Sequence, residues 1–129
     1  MNKSVLITAC VLGALSIILG AFAAHGLKKS ISAESMSIFE TGVKYQMYHA
    51  LFLLCVGSSS YVIASYQKTI MYLVIIGVVF FSGSLYGLGT NNLTNFNFKK
   101  IGFITPIGGL LLIAAWITLL INFVKIKLN

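Results

Sequence analysis

Charged side chains are scarce in this sequence, and aspartate and arginine are absent altogether. Only 9% of its 129 residues are charged and 58% are hydrophobic, which argues against a soluble domain. Without aspartate a Ser/His/Asp triad cannot form, although Glu40 could orient a histidine in principle. The absence of arginine weakens any proposal of phosphate-fork or base recognition. We therefore predict no nucleic-acid binding and assign no catalytic residue.

Cysteine and histidine are also rare, and their positions do not suggest a metal centre. Cys10 and Cys55 both lie inside apolar runs, where a thiol behaves as a small hydrophobic group. His25, Glu40 and His49 lack the close ligand spacing of an H-E-x-x-H site. We predict no disulfide framework, no metal and no cofactor.

Four long apolar runs are the main feature of the sequence. Each approaches the roughly 20 helical residues that cross the hydrocarbon core of a bilayer. They predict an all-α, polytopic membrane protein whose single integral membrane domain, residues 1–129, is an antiparallel bundle of four transmembrane helices. The helices are expected at about 5–25, 37–64, 70–89 and 106–124.

Local signals predict where these helices begin and turn. Ser37 and Glu40 have the spacing of a capping box, which places the start of helix two at Ser37. The polar stretch Ser65–Thr69 predicts a tight turn between helices two and three. Thr105 followed by Pro106, the only proline, predicts an N-cap and the first position of helix four.

Small residues recur at the four-residue spacing that lets membrane helices approach closely. They are Gly13, Ser16 and Gly20 in helix one, Gly83 and Gly87 in helix three, and Gly109 in helix four. Packing within one bundle is the simpler interpretation, and a dedicated dimer motif is the alternative.

Polar side chains gather at one end of the predicted bundle. Alternating helix direction brings the end of helix one, the start of helix two, the end of helix three and the start of helix four together. The candidate functional site is the polar set in these segments: His25, Glu40, Thr41, Tyr45, Gln46, His49, Ser82, Ser84, Tyr86 and Thr105. At the opposite end we expect only a short turn and two lysine-tipped termini.

Two roles stay open for His49. It lies about 13 Å along helix two from Glu40, at hydrocarbon depth, where an ionisable group should face the bundle or a wet cavity. A structural imidazole would bond to Tyr45, Ser82 or a carbonyl, whereas a functional one would carry protons or contact a ligand. His25, at the end of helix one, could likewise simply donate to terminal carbonyls.

Four collinear motifs, "GAFAAHGL", "ETGVKYQMYHALFLL", "FSGSLYGL" and "ITPIGG", span nearly the whole chain. In order and spacing they resemble the small membrane proteins of domain-of-unknown-function family 423, to which transmembrane protein 256 is similar. Ala23 stands where the family pattern has glycine. The resemblance implies a four-helix protein of the bacterial inner membrane with both termini in the cytoplasm, and it implies no activity.

Three hypotheses for function follow. The first is a structural or interaction module, a homo-oligomer whose polar side docks another membrane protein or lipid head groups. The second is an oligomeric conduit or carrier for protons, ions or a small polar solute, lined by His25, Glu40, Tyr45 and His49. A membrane enzyme is the third. Membrane lipids are expected partners in every case, since the nine lysines lie mostly at helix ends, where anionic head groups attract them.

Overall fold

In the computed structural model, which describes residues 2–127, four long α-helices account for most of the chain. They are α1 (Lys3–His25), α2 (Ala33–Ser58), α3 (Ala64–Gly89) and α4 (Ile104–Lys125). Short 3₁₀ turns lie in the connections, at Leu27–Lys29, Asn91–Leu93 and Phe98–Ile101. The predicted all-α architecture is confirmed.

Three of these helices are long and apolar enough to cross a membrane: α1 extended to Lys29, α3 and α4. The remaining helix, α2, is as long as α3 but carries Glu34, Glu40 and Lys44 in its first half. Polar side chains, and not a shorter length, therefore distinguish α2 from the other three.

Contacts at both ends show that α2 runs the full length of the bundle. Near its start, the Phe39 ring lies 4.9 Å from the ring of Tyr86, close to the end of α3. Near its end, a Cβ added to Gly57 would lie 2.9 Å from a methyl group of Val5, close to the start of α1. α1, α2 and α3 therefore alternate in direction. α4 continues the alternation, since Thr105 near its start bonds to Ser84 near the end of α3, and Asn122 near its end bonds to Ile63, just before α3.

Helices that follow one another in the chain also pack on one another. α1 packs against α2, α2 against α3, and α3 against α4. Within residues 2–127, α1 and α4 share no comparable interface. The bundle is thus organised around the central pair α2 and α3, and one side of α1 and of α4 is left uncovered.

The predicted start of α2 at Ser37 is wrong by about one turn. The helix begins at Ala33, and the hydroxyl oxygen of Ser32 accepts a hydrogen bond from the Ser35 amide at 3.1 Å. Ser32 is an equally good capping residue that comes earlier in the chain. Because the Ser37–Glu40 spacing also fits a capping box, the sequence pattern alone did not distinguish the two starts.

The predicted turn at Ser65–Thr69 is also wrong, because this segment forms the first turns of α3. The connection instead occupies residues 59–63, directly after the end of α2. Gln67, which the pattern assigned to the turn, is only 4% exposed, and its amide nitrogen donates to the carbonyls of Ser59 and Val62. Gln67 is polar because it holds the turn, not because it lies in it.

Asn122 of α4 holds the same turn from the other side. Its side chain is fully buried, accepts a hydrogen bond from the Ile63 amide at 2.9 Å and donates to the Tyr61 carbonyl at 2.9 Å. An asparagine amide inside an apolar helix is costly unless both of its ends are paired. The turn between α2 and α3 supplies both partners, so it is fixed to α4.

Glycines mark the closest approach of α3 and α4. A Cβ added to Gly108 would lie 2.9 Å from the Gly77 carbonyl oxygen, and one added to Gly77 would lie 2.7 Å from a methyl group of Leu112. Real Cβ atoms do not come this close to a backbone atom without displacing it. Glycine at position 108 is therefore required by the crossing, whereas a Cβ at Gly77 meets the movable end of the Leu112 side chain. The four-residue spacing selected neither glycine.

The predicted packing residues differ in what they contact. A Cβ at Gly13 would meet Ala50 at 3.7 Å, and one at Gly20 would meet Val43 at 3.4 Å. Of the remaining four, Ser16 is buried in the bundle and Gly109 faces the Phe81 ring. Gly87 lies under the Phe98 ring, whereas a Cβ added to Gly83 would have no neighbour within 4 Å. The prediction for Gly83 is wrong, because spacing does not reveal which side of a helix faces lipid.

We expect Gly108→Ala to destabilise the protein by about 1–3 kcal/mol, because the new methyl group forces α3 and α4 apart. Gly83→Ala is the matched control and should leave stability unchanged or slightly raised, since the added methyl group meets open space. Equilibrium unfolding of both variants in detergent micelles measures the difference. Equal losses in the two variants would contradict the assigned α3–α4 crossing.

Candidate functional site

The alternating helices place the ten predicted polar residues in the same half of the bundle. Contact is more selective than this shared location, however. Six of the ten form three separate interhelical links, and four take part in none of them. The links connect α1, α2 and α3; α3 and α4; and α2 and α4.

Gln46 is the centre of the first link. Its side chain is 4% exposed, and its amide nitrogen donates to the Leu12 carbonyl of α1 at 2.9 Å. Its amide oxygen accepts a hydrogen bond of 2.6 Å from the Tyr86 hydroxyl of α3. One carboxamide of α2 therefore ties together three helices and uses both of its polar ends.

Ser82 reinforces the same contact between α2 and α3. Its hydroxyl is fully buried and donates to the Gly42 carbonyl at 2.7 Å. A Cβ at Gly42 would lie 3.1 Å from the Ser82 carbonyl oxygen and 2.8 Å from the Tyr86 ring. Glycine at position 42 thus lets the two backbones approach closely enough for the serine to reach across.

Ser84 and Thr105 form the link between α3 and α4, with 2.6 Å between their hydroxyl oxygens. The Ser84 hydroxyl also lies 2.8 Å from the Phe81 carbonyl, which can only accept. Ser84 therefore gives its single hydrogen to Phe81, and Thr105 donates to Ser84.

The prediction that Thr105 caps α4 is wrong. The helix begins at Ile104, and Phe103 occupies the cap position without a side-chain hydrogen bond. Pro106 lies inside the first turn, where its missing amide hydrogen still leaves no helical bond unmade. The Thr105 hydroxyl bonds to Ser84 instead.

His49 is engaged at both ring nitrogens. Nδ1 lies 2.8 Å from the Tyr45 carbonyl, and the indole nitrogen of Trp116 lies 3.2 Å from Nε2. Since the indole N–H can only donate and the carbonyl can only accept, the imidazole carries its hydrogen at Nδ1 and accepts at Nε2. His49 is 5% exposed, and this arrangement is the structural alternative of the two roles considered for it.

Trp116, the only tryptophan in the chain, is the partner that sequence reasoning missed. Besides its bond to His49, its ring stacks on Phe52 with 4.2 Å between centroids. It thus joins α4 to α2, two helices that share no extensive interface. The signal available in the sequence was an indole N–H at hydrocarbon depth, which needs an acceptor.

Four predicted residues stand outside these links. His25 and Glu40 are exposed, and Tyr45 is 41% exposed with its ring 4.9 Å from that of Phe81. The Thr41 hydroxyl bonds within its own helix, to the Ser37 carbonyl at 2.9 Å. The ten residues are therefore not one converging cluster.

Two adjoining cavities lie between α2 and α4, and together they form what we call the α2–α4 groove. The first, about 430 Å³, extends from Tyr48 and Phe52 to Phe123, and the second, about 400 Å³, lies beside Tyr45 and His49. Trp116 lines both cavities. Most of the other lining side chains are aromatic or aliphatic.

A metal centre is not indicated for the part of the chain that the structure describes. Residues 2–127 contain no group of three histidine, cysteine, aspartate or glutamate side chains close enough to hold an ion. His25 and Glu40 are exposed at the bundle end, whereas His49 is buried between α2 and α4.

Buried polar side chains also occur at the end where we expected none. Gln67 is 4% exposed and Asn122 is fully buried there, and the backbone N–H of Asn2 donates to the Gly57 carbonyl at 3.0 Å. The expectation that this end holds only a turn and lysine-tipped termini is wrong. The rule that explains Gln46 applies here too, since a buried carboxamide must find its hydrogen-bond partners inside the protein.

Comparison with known proteins places the chain among membrane proteins. The family described as "Protein of unknown function (DUF423)" matches residues 19–109. The UPF0382 membrane protein SSP2132 of Staphylococcus saprophyticus is 42% identical over 120 residues, which cover 90% of this chain and 96% of the relative. The UPF0382 membrane protein SH2409 of Staphylococcus haemolyticus is 44% identical, with 89% and 93% covered.

A more distant relative covers almost the whole chain. The UPF0382 inner membrane protein YgdD of Escherichia coli is 33% identical over 128 residues, with 98% of this chain and 93% of the relative covered. No solved structure matches this chain.

We expect Tyr86→Phe to lower the free energy of unfolding by about 1 kcal/mol, the range of interhelical hydrogen bonds in membranes. The change leaves the Gln46 amide oxygen without its 2.6 Å partner. Tyr72→Phe is the control, since Tyr72 lies on the same helix and is 51% exposed. If both variants unfold at the same denaturant concentration, the Gln46–Tyr86 bond does not contribute to stability.

Proposed function

Because this chain belongs to the family of proteins of unknown function DUF423, we propose its role from its geometry, as a structural and interaction module of the cell membrane. The chain is an integral, multi-pass membrane protein, and its Escherichia coli relative is named an inner membrane protein. The proposed module is a stable helical bundle that presents one polar end to other components of the membrane.

One observation carries this proposal: the buried polar side chains of the candidate site are paired with each other or with backbone. Gln46, His49, Ser82 and Ser84 all bond across a helix interface or to a carbonyl. Side chains whose hydrogen bonds are used in this way hold helices together. They are not available to a passing ion or substrate unless the bundle opens.

A conduit would need polar groups that line a continuous wet path. The cavity beside His49 is instead lined mainly by Tyr45, Phe81, Leu112, Ile113 and Trp116. Protonating His49 at Nε2 would also break its bond to Trp116, since both atoms would then be donors. The arrangement favours the interaction module over the conduit.

His25 and Glu40 supply the exposed part of the polar end. Both are at the membrane boundary, on the end of α1 and the start of α2, and neither is used in the interhelical links. A charged partner can reach these two side chains without any change in the bundle. We propose that they belong to the surface that contacts another membrane protein.

Self-association is part of the same proposal. α1 has α2 as its main neighbour and α4 has α3, so that Ile17 and Val124 remain 66% and 76% exposed. A second copy packed against either helix would replace lipid contacts with protein contacts. We therefore propose a homo-oligomer assembled through α1 or α4.

Purified protein in liposomes tests the proposed role. We expect proton and potassium flux no greater than in protein-free liposomes, for the natural chain and for His49→Ala alike. His25→Ala serves as the exposed control for the histidine substitution. A flux through the natural chain that disappears in His49→Ala, but not in His25→Ala, would establish the conduit and overturn the module.

The same liposomes report self-association. Cys10 and Cys55 are both exposed, so a Cys55→Ala variant leaves Cys10 as a single labelling site on α1. Donor- and acceptor-labelled copies should show energy transfer above the level expected for random mixing at high lipid dilution. Transfer at the random level would contradict the homo-oligomer.

A further inference from the structure

A polar cavity lies at the end of the bundle opposite to His25 and Glu40, where the chain enters α1 and turns from α2 into α3. Its volume is about 390 Å³, and its polar lining consists of Asn2, Lys3, Ser59, Ser60 and Gln67. We call it the terminal cavity. Five of its seven lining residues have side chains that can form hydrogen bonds.

Three carbonyls of the turn beside this cavity already accept hydrogen bonds from side chains. Gln67 donates to the Ser59 carbonyl at 3.1 Å and to the Val62 carbonyl at 3.0 Å, and Asn122 donates to that of Tyr61. The Asn2 amide oxygen accepts from the Val5 amide at 3.2 Å. What remains toward the cavity is mainly donors: the Lys3 ammonium group, the Asn2 amide NH₂ and the Ser60 hydroxyl.

The charge around the cavity is of one sign. The only acidic side chains of the sequence, Glu34 and Glu40, lie in the first half of α2, at the far end of the bundle. Lys3, Lys68 and Lys125 lie at the near end. A cavity rich in donors and surrounded by lysine without a neighbouring carboxylate side chain is complementary to an anion.

One acceptor in the cavity wall has no partner among the described residues. The Gln67 amide oxygen is buried, while the nitrogen of the same amide makes two hydrogen bonds. Because this oxygen exposes almost no surface, a ligand in the cavity does not reach it, and recognition of a ligand there depends on the donors.

The terminal cavity adjoins the α2–α4 groove. Ser59 and Val62 line both, so the polar cavity gives way at these residues to the apolar groove that leads to Trp116. A site with a cationic polar part at the membrane boundary and an apolar part at hydrocarbon depth matches the shape of a lipid. A water-soluble anion would use only the first part.

We propose that the terminal cavity binds the phosphate head group of an anionic glycerophospholipid, one of whose acyl chains lies in the α2–α4 groove. Lys3 pairs with the phosphate, and Asn2 and Ser60 donate hydrogen bonds to its oxygens. This site is at the end of the bundle opposite to the proposed protein contact surface. A failure of lipid binding at this site would therefore not contradict the proposed contact with another membrane protein, and the reverse also holds.

Trp116 provides an internal reporter for this site. It is the only tryptophan, is 53% exposed and lines the groove, so a brominated acyl chain in the groove quenches its fluorescence. The measurement compares brominated phosphatidylglycerol in a phosphatidylcholine bilayer with brominated phosphatidylcholine in a phosphatidylglycerol bilayer, at equal mole fractions. We expect stronger quenching by the anionic lipid.

Lys3→Gln should reduce this preference by about fivefold, the change expected for one lysine at an anionic lipid surface. Lys68→Gln is the matched control, because Lys68 is an exposed lysine on the first turns of α3, near the same end, but does not line the cavity. Lys68→Gln should leave the preference for the anionic lipid nearly unchanged.

Ser60→Ala removes an exposed hydroxyl group of the cavity without altering the charge. It should lower the preference for the anionic lipid more weakly than Lys3→Gln.

Two results would overturn the site. Equal quenching by the two brominated lipids would show that the groove does not select an anionic lipid. Equal loss of preference in Lys3→Gln and Lys68→Gln would show only a diffuse attraction of the basic surface. If Lys3→Gln fails to fold, as judged by circular dichroism, the comparison of Ser60→Ala with the natural chain decides, and an unchanged preference overturns the site.

Discussion

Buried hydrogen-bonding groups in a membrane protein cannot bond to water and must find partners within the protein. This constraint explains most of the contacts between the helices. Gln46 satisfies it by bonding to α1 and α3 at once, and Asn122 satisfies it by holding both sides of the turn between α2 and α3. Such buried amide side chains therefore become connections between elements. The bundle holds together at these connections, while unspecific apolar packing fills the space between them.

Close backbone approach is the condition under which these connections form. Serine and threonine have short side chains, so Ser82 reaches the Gly42 carbonyl only because glycine at position 42 allows α2 and α3 to come near. Gly108, about one turn from Thr105, does the same for α3 and α4. Glycines and hydroxyls thus act together, which is the usual way in which membrane helices associate without a hydrophobic driving force between them.

The number of helices, their class and their alternating direction could be predicted from sequence, because they depend on the length of apolar runs alone. The partner of each polar side chain could not, because it depends on how each helix is rotated about its axis. Trp116 and His49 are 67 residues apart in the chain, and Asn122 and Ile63 are 59 residues apart. No local sequence pattern reaches over such distances. Polarity also led to a wrong prediction at Gln67. This polar residue was assigned to the turn, but it lies buried in α3 and donates hydrogen bonds to carbonyls of the turn.

The interpretation of the candidate site also depends on these partners, which the sequence did not reveal. Its residues were grouped by the end of the bundle they share, and His49 and Gln46 were considered as possible functional groups; in the structure both are engaged with neighbouring helices. Nitrogen-15 magnetic resonance of the His49 ring, in bilayers at neutral pH, tests this account most directly. The account predicts a neutral ring with hydrogen at Nδ1 and a hydrogen bond from Trp116 to Nε2; a doubly protonated ring, or hydrogen at Nε2, would contradict it.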